Sequence, residues 1–109
     1  MKSHKILGSF EQMVLLGILQ EGEAAFGLEV RGVLERNLGR PISRGAFYTT
    51  VDRLEKKGYL GWETHSGEAN RQRLPKRRFL VTAAGVEALR ESRDVMSRLA
   101  LGLDDLLHV

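Results

Sequence analysis

The sequence predicts a mainly α fold with a small β-hairpin. Three observations carry that prediction. Three helix-length stretches before residue 59 are each closed by a glycine, at Gly22, Gly39 and Gly58. Two short stretches after them, 59–66 and 77–81, carry strand patterns, and the first alternates Leu60, Trp62 and Thr64. A last stretch from Thr82 repeats apolar residues at heptad spacing.

The first helix is expected to start at Ser9. Ser9-Phe10-Glu11-Gln12 has the capping-box form, with serine at the N-cap and glutamine three residues on. Met13-Val14-Leu15-Leu16-Gly17-Ile18-Leu19 follows and is apolar nearly all round. So small a domain cannot cover every side of such a helix, which points to burial against a partner chain as well as the core.

The second helix is expected from about Ala25-Phe26, with Phe26, Val30, Val33 or Leu34, and Leu38 on its apolar face. Gly39 is its C-cap, and Pro41 prevents continuation. Ser43 caps the third helix, expected over 44–57. Phe47, Val51 and Leu54 face inward, while Arg44, Tyr48, Thr49, Asp52, Arg53 and Lys56 lie on the other face. In the final helix, capped by Thr82, Leu89, Met96 and Leu103 take one seam position and Ser92, Leu99 and Leu106 the other. Gly102 and Asp104-Asp105 suit a helix C-terminus poorly, so bending or fraying is expected there.

Bulk properties narrow the function. At 109 residues the chain is one domain. Having no cysteine, it has no disulfide and no cysteine-based metal or nucleophile chemistry, and it fits a reducing cytoplasm. No apolar run is long enough to span a membrane, so no membrane role is expected. His4, His65 and His108 lack metal-ligand spacing, and no nucleophile elbow or phosphate-binding glycine fingerprint occurs. Neither an enzyme nor a cofactor is expected. The net charge is only +3, yet five of the eight residues in 71–78 are basic: Arg71, Arg73, Lys76, Arg77 and Arg78. A concentrated basic stripe suits a polyanion.

Helix, helix, helix, strand, strand, helix is the order of a winged helix–turn–helix. Residues 1–82 are read as the DNA-binding part and 83–109 as a long C-terminal dimerisation helix of the same compact unit. The third helix would enter the major groove of double-stranded DNA, with Ser43, Arg44, Tyr48, Thr49, Arg53 and Lys57 as its DNA-facing residues. The basic wing would meet phosphates. The homodimer interface is expected from Phe10, Met13, Val14, Leu89, Met96, Leu99, Leu103 and Leu106. A second reading keeps the fold as a protein-interaction module without DNA binding.

Three segments resemble the PadR family of transcriptional regulators. The specific one is Ile42-Ser43-Arg44-Gly45-Ala46-Phe47-Tyr48-Thr49-Thr50-Val51-Asp52-Arg53-Leu54-Glu55-Lys56-Lys57-Gly58-Tyr59-Leu60. It is flanked by Leu7-Gly8-Ser9-Phe10-Glu11-Gln12-Met13-Val14-Leu15-Leu16, continuing at Ala25-Phe26-Gly27-Leu28-Glu29-Val30, and by Arg77-Arg78-Phe79-Leu80-Val81-Thr82-Ala83-Ala84-Gly85. The length is similar to the shorter subfamily with a single C-terminal helix. The resemblance implies a homodimeric repressor of a palindromic operator, with the C-terminal helix packed on the partner's N-terminal helix. It also implies release from DNA by a small hydrophobic or phenolic effector, for which Val95, Met96 and Leu99 are the expected lining. The chain departs from the family at Leu74-Pro75, where family wings carry glycines. Its only tryptophan, Trp62, sits in the strand rather than on the C-terminal helix.

Overall fold

The computed structural model describes residues 6–65 and 76–108. Its elements are α1 (Ser9–Glu21), a single 3-10 turn (Gly22–Ala24), α2 (Gly27–Leu38), α3 (Arg44–Lys56), β1 (Leu60–His65), β2 (Lys76–Val81), α4 (Ala83–Ala100) and α5 (Asp104–Leu107). The mainly helical fold with one antiparallel hairpin and a C-terminal helix is the winged arrangement the sequence predicts.

Local chemistry sets most boundaries. Ser43 Oγ accepts from the Ala46 amide at 3.0 Å, and Thr82 Oγ1 accepts from Gly85 at 3.0 Å, so both expected N-caps form. Gly39 ends α2 with φ +70°, a conformation that costs other residues a steric penalty. The start of α1 differs from expectation by one residue. Gly8, not Ser9, is the N-cap, and Glu11, not Gln12, reaches back to accept the Gly8 amide at 2.9 Å. Gln12 instead donates to the Leu7 carbonyl at 2.9 Å.

The core gathers α1, α2, α3 and the root of the hairpin around Val14, Leu15, Val30, Phe47, Val51 and Leu54, all fully buried. Burying a side chain of this size contributes roughly 1.5–3 kcal/mol. Gly17 lets α1 approach α2 closely, since a Cβ there would lie 3.2 Å from Val30 Cγ1 and 3.3 Å from Leu34 Cδ2. Gly85 does the same for α4, where a Cβ would run into the Tyr59 carbonyl.

The hairpin pairs Leu60 with Val81, Trp62 with Phe79 and His65 with Lys76. At its root β2 also joins the chain between α1 and α2. The Phe79 amide donates to the Ala25 carbonyl at 2.8 Å, and Phe26 forms an isolated antiparallel bridge with Arg78. The wing is therefore fastened to the helical body by backbone as well as side chains.

Val14 and Leu89, expected at a dimer interface, are instead buried within the chain, at 0% and 5% exposure. The first helix is apolar all round, so its pattern does not choose an outward face. The structure turns Leu16 and Leu19 outward and leaves Phe10 and Met13 partly buried against the core. Ser92, placed on the seam, is fully buried; it accepts the Leu7 amide at 3.0 Å and donates to the Ala88 carbonyl at 2.9 Å. Met96, Leu99, Leu103 and Leu106, also expected at the interface, are exposed on the single chain. The helix breaks at Gly102, φ +82°, and Asp104-Asp105 then open α5, where acidic residues suit the positive end of a helix.

Candidate nucleic-acid interface

Helical periodicity divides α3 cleanly. At about 100° per residue, Phe47, Thr50, Val51 and Leu54 share the inward arc, and all four are buried. The arc directly opposite carries Gly45, Thr49, Asp52 and Lys56, all exposed. The sequence places Thr49, Asp52 and Lys56 on this outer face and omits Gly45. Thr49 is among the expected DNA-facing residues; Gly45, Asp52 and Lys56 are not. Counting at 100° from the four buried positions sets Gly45, Asp52 and Lys56 at the centre of that face.

Arg44 and Tyr48 flank the ridge on the side of the wing, and Arg53 flanks it on the other. The wing comes close on the Tyr48 side. The Arg77 guanidinium carbon lies 5.5 Å from the Tyr48 ring centroid, 5.2 Å from that of Trp62 and 5.7 Å from that of Phe79. The Arg44 guanidinium carbon lies 5.1 Å from the Tyr48 ring. Two cations thus rest against one aromatic ring, held by cation–π attraction that leaves their N–H groups free to donate. Arg44, Gly45, Tyr48, Asp52 and Arg77 line an open notch of about 330 Å³ between helix and wing.

Tyr48 is placed by α2. A Cβ on Gly27 would collide with the Tyr48 hydroxyl, so the glycine at the first position of α2 makes room for the ring. Trp62 is 40% exposed; its Nε1 donates to Glu55 Oε1 at 3.1 Å, fixing the strand to α3. It is neither core nor a free platform.

Two expected DNA contacts are used inside the fold. Lys57 Nζ donates to Glu11 Oε2 at 2.9 Å, joining the end of α3 to the start of α1. Burial pushes the Glu11 carboxyl up. The hydrogen bonds from Lys57 and the Gly8 amide, with the charges of Lys57 and Arg53, outweigh it and hold the group below the usual range. Arg78 pairs with Glu63 and, at 2.6 Å, with Glu23, so its charge is already met. Arg71 and Arg73 lie outside the described residues. Lys76 and Arg77 are exposed, and Lys76 Nζ sits 5.8 Å from the Phe26 ring. Val95 is half-buried, and Met96 and Leu99 are 58% and 71% exposed, on the surface of α4.

The profile of the transcriptional regulator PadR-like family matches residues 15–91, most of the chain. The chain belongs to the PadR-like family. Solved structures agree on the fold. A PadR-like regulator from Bacillus cereus is 20% identical with a TM-score of 0.73, each chain covering 92% of the other. A PadR-like transcription factor from Bacteroides fragilis is 18% identical with a TM-score of 0.69, over 89% of this chain and 88% of that one. RosR of H. salinarum is 20% identical with a TM-score of 0.69, over 88% and 79%. No curated protein matches the chain in sequence. This PadR-like chain is accordingly a transcription regulator. Among its described residues no group of three or more His, Cys, Asp or Glu could hold a metal ion, and no helix is long and apolar enough to cross a membrane.

Proposed function

We propose that this PadR-like regulator is a homodimer that binds double-stranded DNA sequence-specifically and represses transcription from a palindromic operator. The observation that carries the reading is the convergence of Arg44 and Arg77 on Tyr48. It sets a cation of the helix and a cation of the wing on either side of one notch, beside the exposed ridge of α3. In this reading α3 lies along the major groove, and the two arginines meet the phosphates at its rim.

Ser43, Arg44, Tyr48, Thr49 and Arg53 contribute from the helix, and Lys76 and Arg77 from the wing. Residues 83–109 form the dimerisation segment, in which Met96, Leu99, Leu103 and Leu106 cover the partner together with Leu16 and Leu19. A small hydrophobic or phenolic effector would then bind where two chains meet beside Val95, Met96 and Leu99. A thermal-shift series with phenolic acids tests that part, and no shift with any of them removes it.

The test of the central reading is binding of the purified protein to duplexes from its own promoter region, followed across a salt series. Affinity should fall steeply and linearly with the logarithm of salt, and footprinting should show two half-sites about one helical turn apart. Affinity that does not respond to salt overturns the phosphate contacts, and a single unpaired footprint overturns the palindrome.

A further inference from the structure

We propose that Asp52 selects a cytosine on the floor of the major groove; this rests on the DNA-binding reading above and names one base that it recognises. Three observations point there. First, Asp52 lies on the ridge directly opposite the buried face of α3, so it is among the side chains that reach deepest when the helix enters a groove. Second, its carboxylate is unspent. Of the two acids of α3, Glu55 is taken by Trp62, whereas among the described residues none bonds or pairs with Asp52. Third, the ridge on the N-terminal side of Asp52 carries small side chains, Gly45 and Thr49. Gly45 sits two turns before Asp52, and a Cβ there would meet nothing within 4 Å, at a φ outside the left-handed region. The fold places no demand for glycine at that position. Close approach of the helix backbone to another surface does, and a short acid such as Asp52 needs that approach to reach a base.

The chemistry then picks the base. An ionised carboxylate only accepts hydrogen bonds. Guanine presents two acceptors in the major groove, thymine one, and adenine a donor beside an acceptor. Cytosine presents its N4 amino donor with no acceptor of its own. A carboxylate on the groove floor meets only acceptors on guanine and thymine, a donor offset by the adjacent N7 acceptor on adenine, and an unopposed donor on cytosine. The paired guanine leaves its O6 and N7 for an arginine, and Arg53 flanks the ridge on the side away from the wing. An acid directed at the phosphates would only cost affinity, and the neighbouring cations would not offset it selectively.

The experiment is selection from random duplexes with the full chain and with Asp52→Asn, which keeps size while converting one acceptor to a donor, and with Asp52→Ala. The wild-type consensus should hold a cytosine at one position of each half-site, and replacing it should cost roughly ten-fold or more in affinity. Asp52→Asn should lose that preference, keep the others and bind unrelated DNA more tightly. An unchanged consensus in both variants overturns the proposal, as does a uniform rise in affinity with base preferences intact, which would show repulsion alone. Wild-type binding with no cytosine preference also overturns it while leaving the DNA-binding reading standing. No binding to any duplex removes both.

Discussion

The guanidinium of Arg77 lies against the ring of Tyr48, 5.5 Å from guanidinium carbon to centroid, so a residue of the wing strand and a residue of α3 share one surface. Arg78, the next residue in the strand, faces elsewhere and is held by Glu23 and Glu63. Adjacent arginines therefore have different fates.

Substituting them separates the two roles. Arg77→Ala should weaken binding to all duplexes and lower the slope of log affinity against log salt by about one. Arg78→Ala should leave that slope unchanged and lower the melting temperature only slightly, as expected for exposed ion pairs. Anisotropy titrations at several salt concentrations and thermal melts measure both.

Gly27 and Tyr48 should behave as a coupled pair. Gly27→Ala drives a methyl group into the Tyr48 hydroxyl and should destabilise the fold by about 1–3 kcal/mol. Tyr48→Phe removes the obstructing oxygen, so the double variant should recover part of the loss. A double-mutant cycle by chemical denaturation measures the coupling, and additive costs would contradict the contact.

The Glu11–Lys57 pair gives stability an acid-side dependence. The folded carboxyl titrates below its unfolded value, so its contribution is complete above the ordinary glutamate range and is lost as pH falls through the folded value. Glu11→Gln should be less stable than wild type by about 1 kcal/mol at neutral pH, modest because Lys57 is 43% exposed. The gap should close as the solution is acidified. Denaturation midpoints across pH check the sign.

The two groups of leucines should respond differently to substitution. Leu89→Ala, inside the chain, should cost about 2–5 kcal/mol of stability. Leu99→Glu, on the exposed face, should leave the fold intact and, on the homodimer proposed above, shift light scattering from dimer to monomer.

What was legible in the sequence follows the range of the physics. Ser43, Thr82 and Gly39 act within a few residues of themselves, and the structure uses them as the sequence predicts. The outward face of α1 was not legible because apolar residues surround that helix and give no preferred side. Val14 thus moved from interface to core, and Leu16 and Leu19 replaced it at the surface. Lys57 and Arg78 counted as free cations because their carboxylate partners, Glu11 and Glu23, lie distant in the chain. A charge count cannot show which charges are already neutralised.

The hydrogen bond from Phe79 to Ala25 closes a loop of about half the chain. It sets the entry to α2, yet its donor is synthesised only after α2, α3 and β1. Local propensity can wind the body of α2 early, but the extended residues before it have no strand to pair with until β2 arrives. A nascent chain stalled before β2 should therefore show rapid amide exchange at the first turn of α2, and full protection should come only when the hairpin is complete.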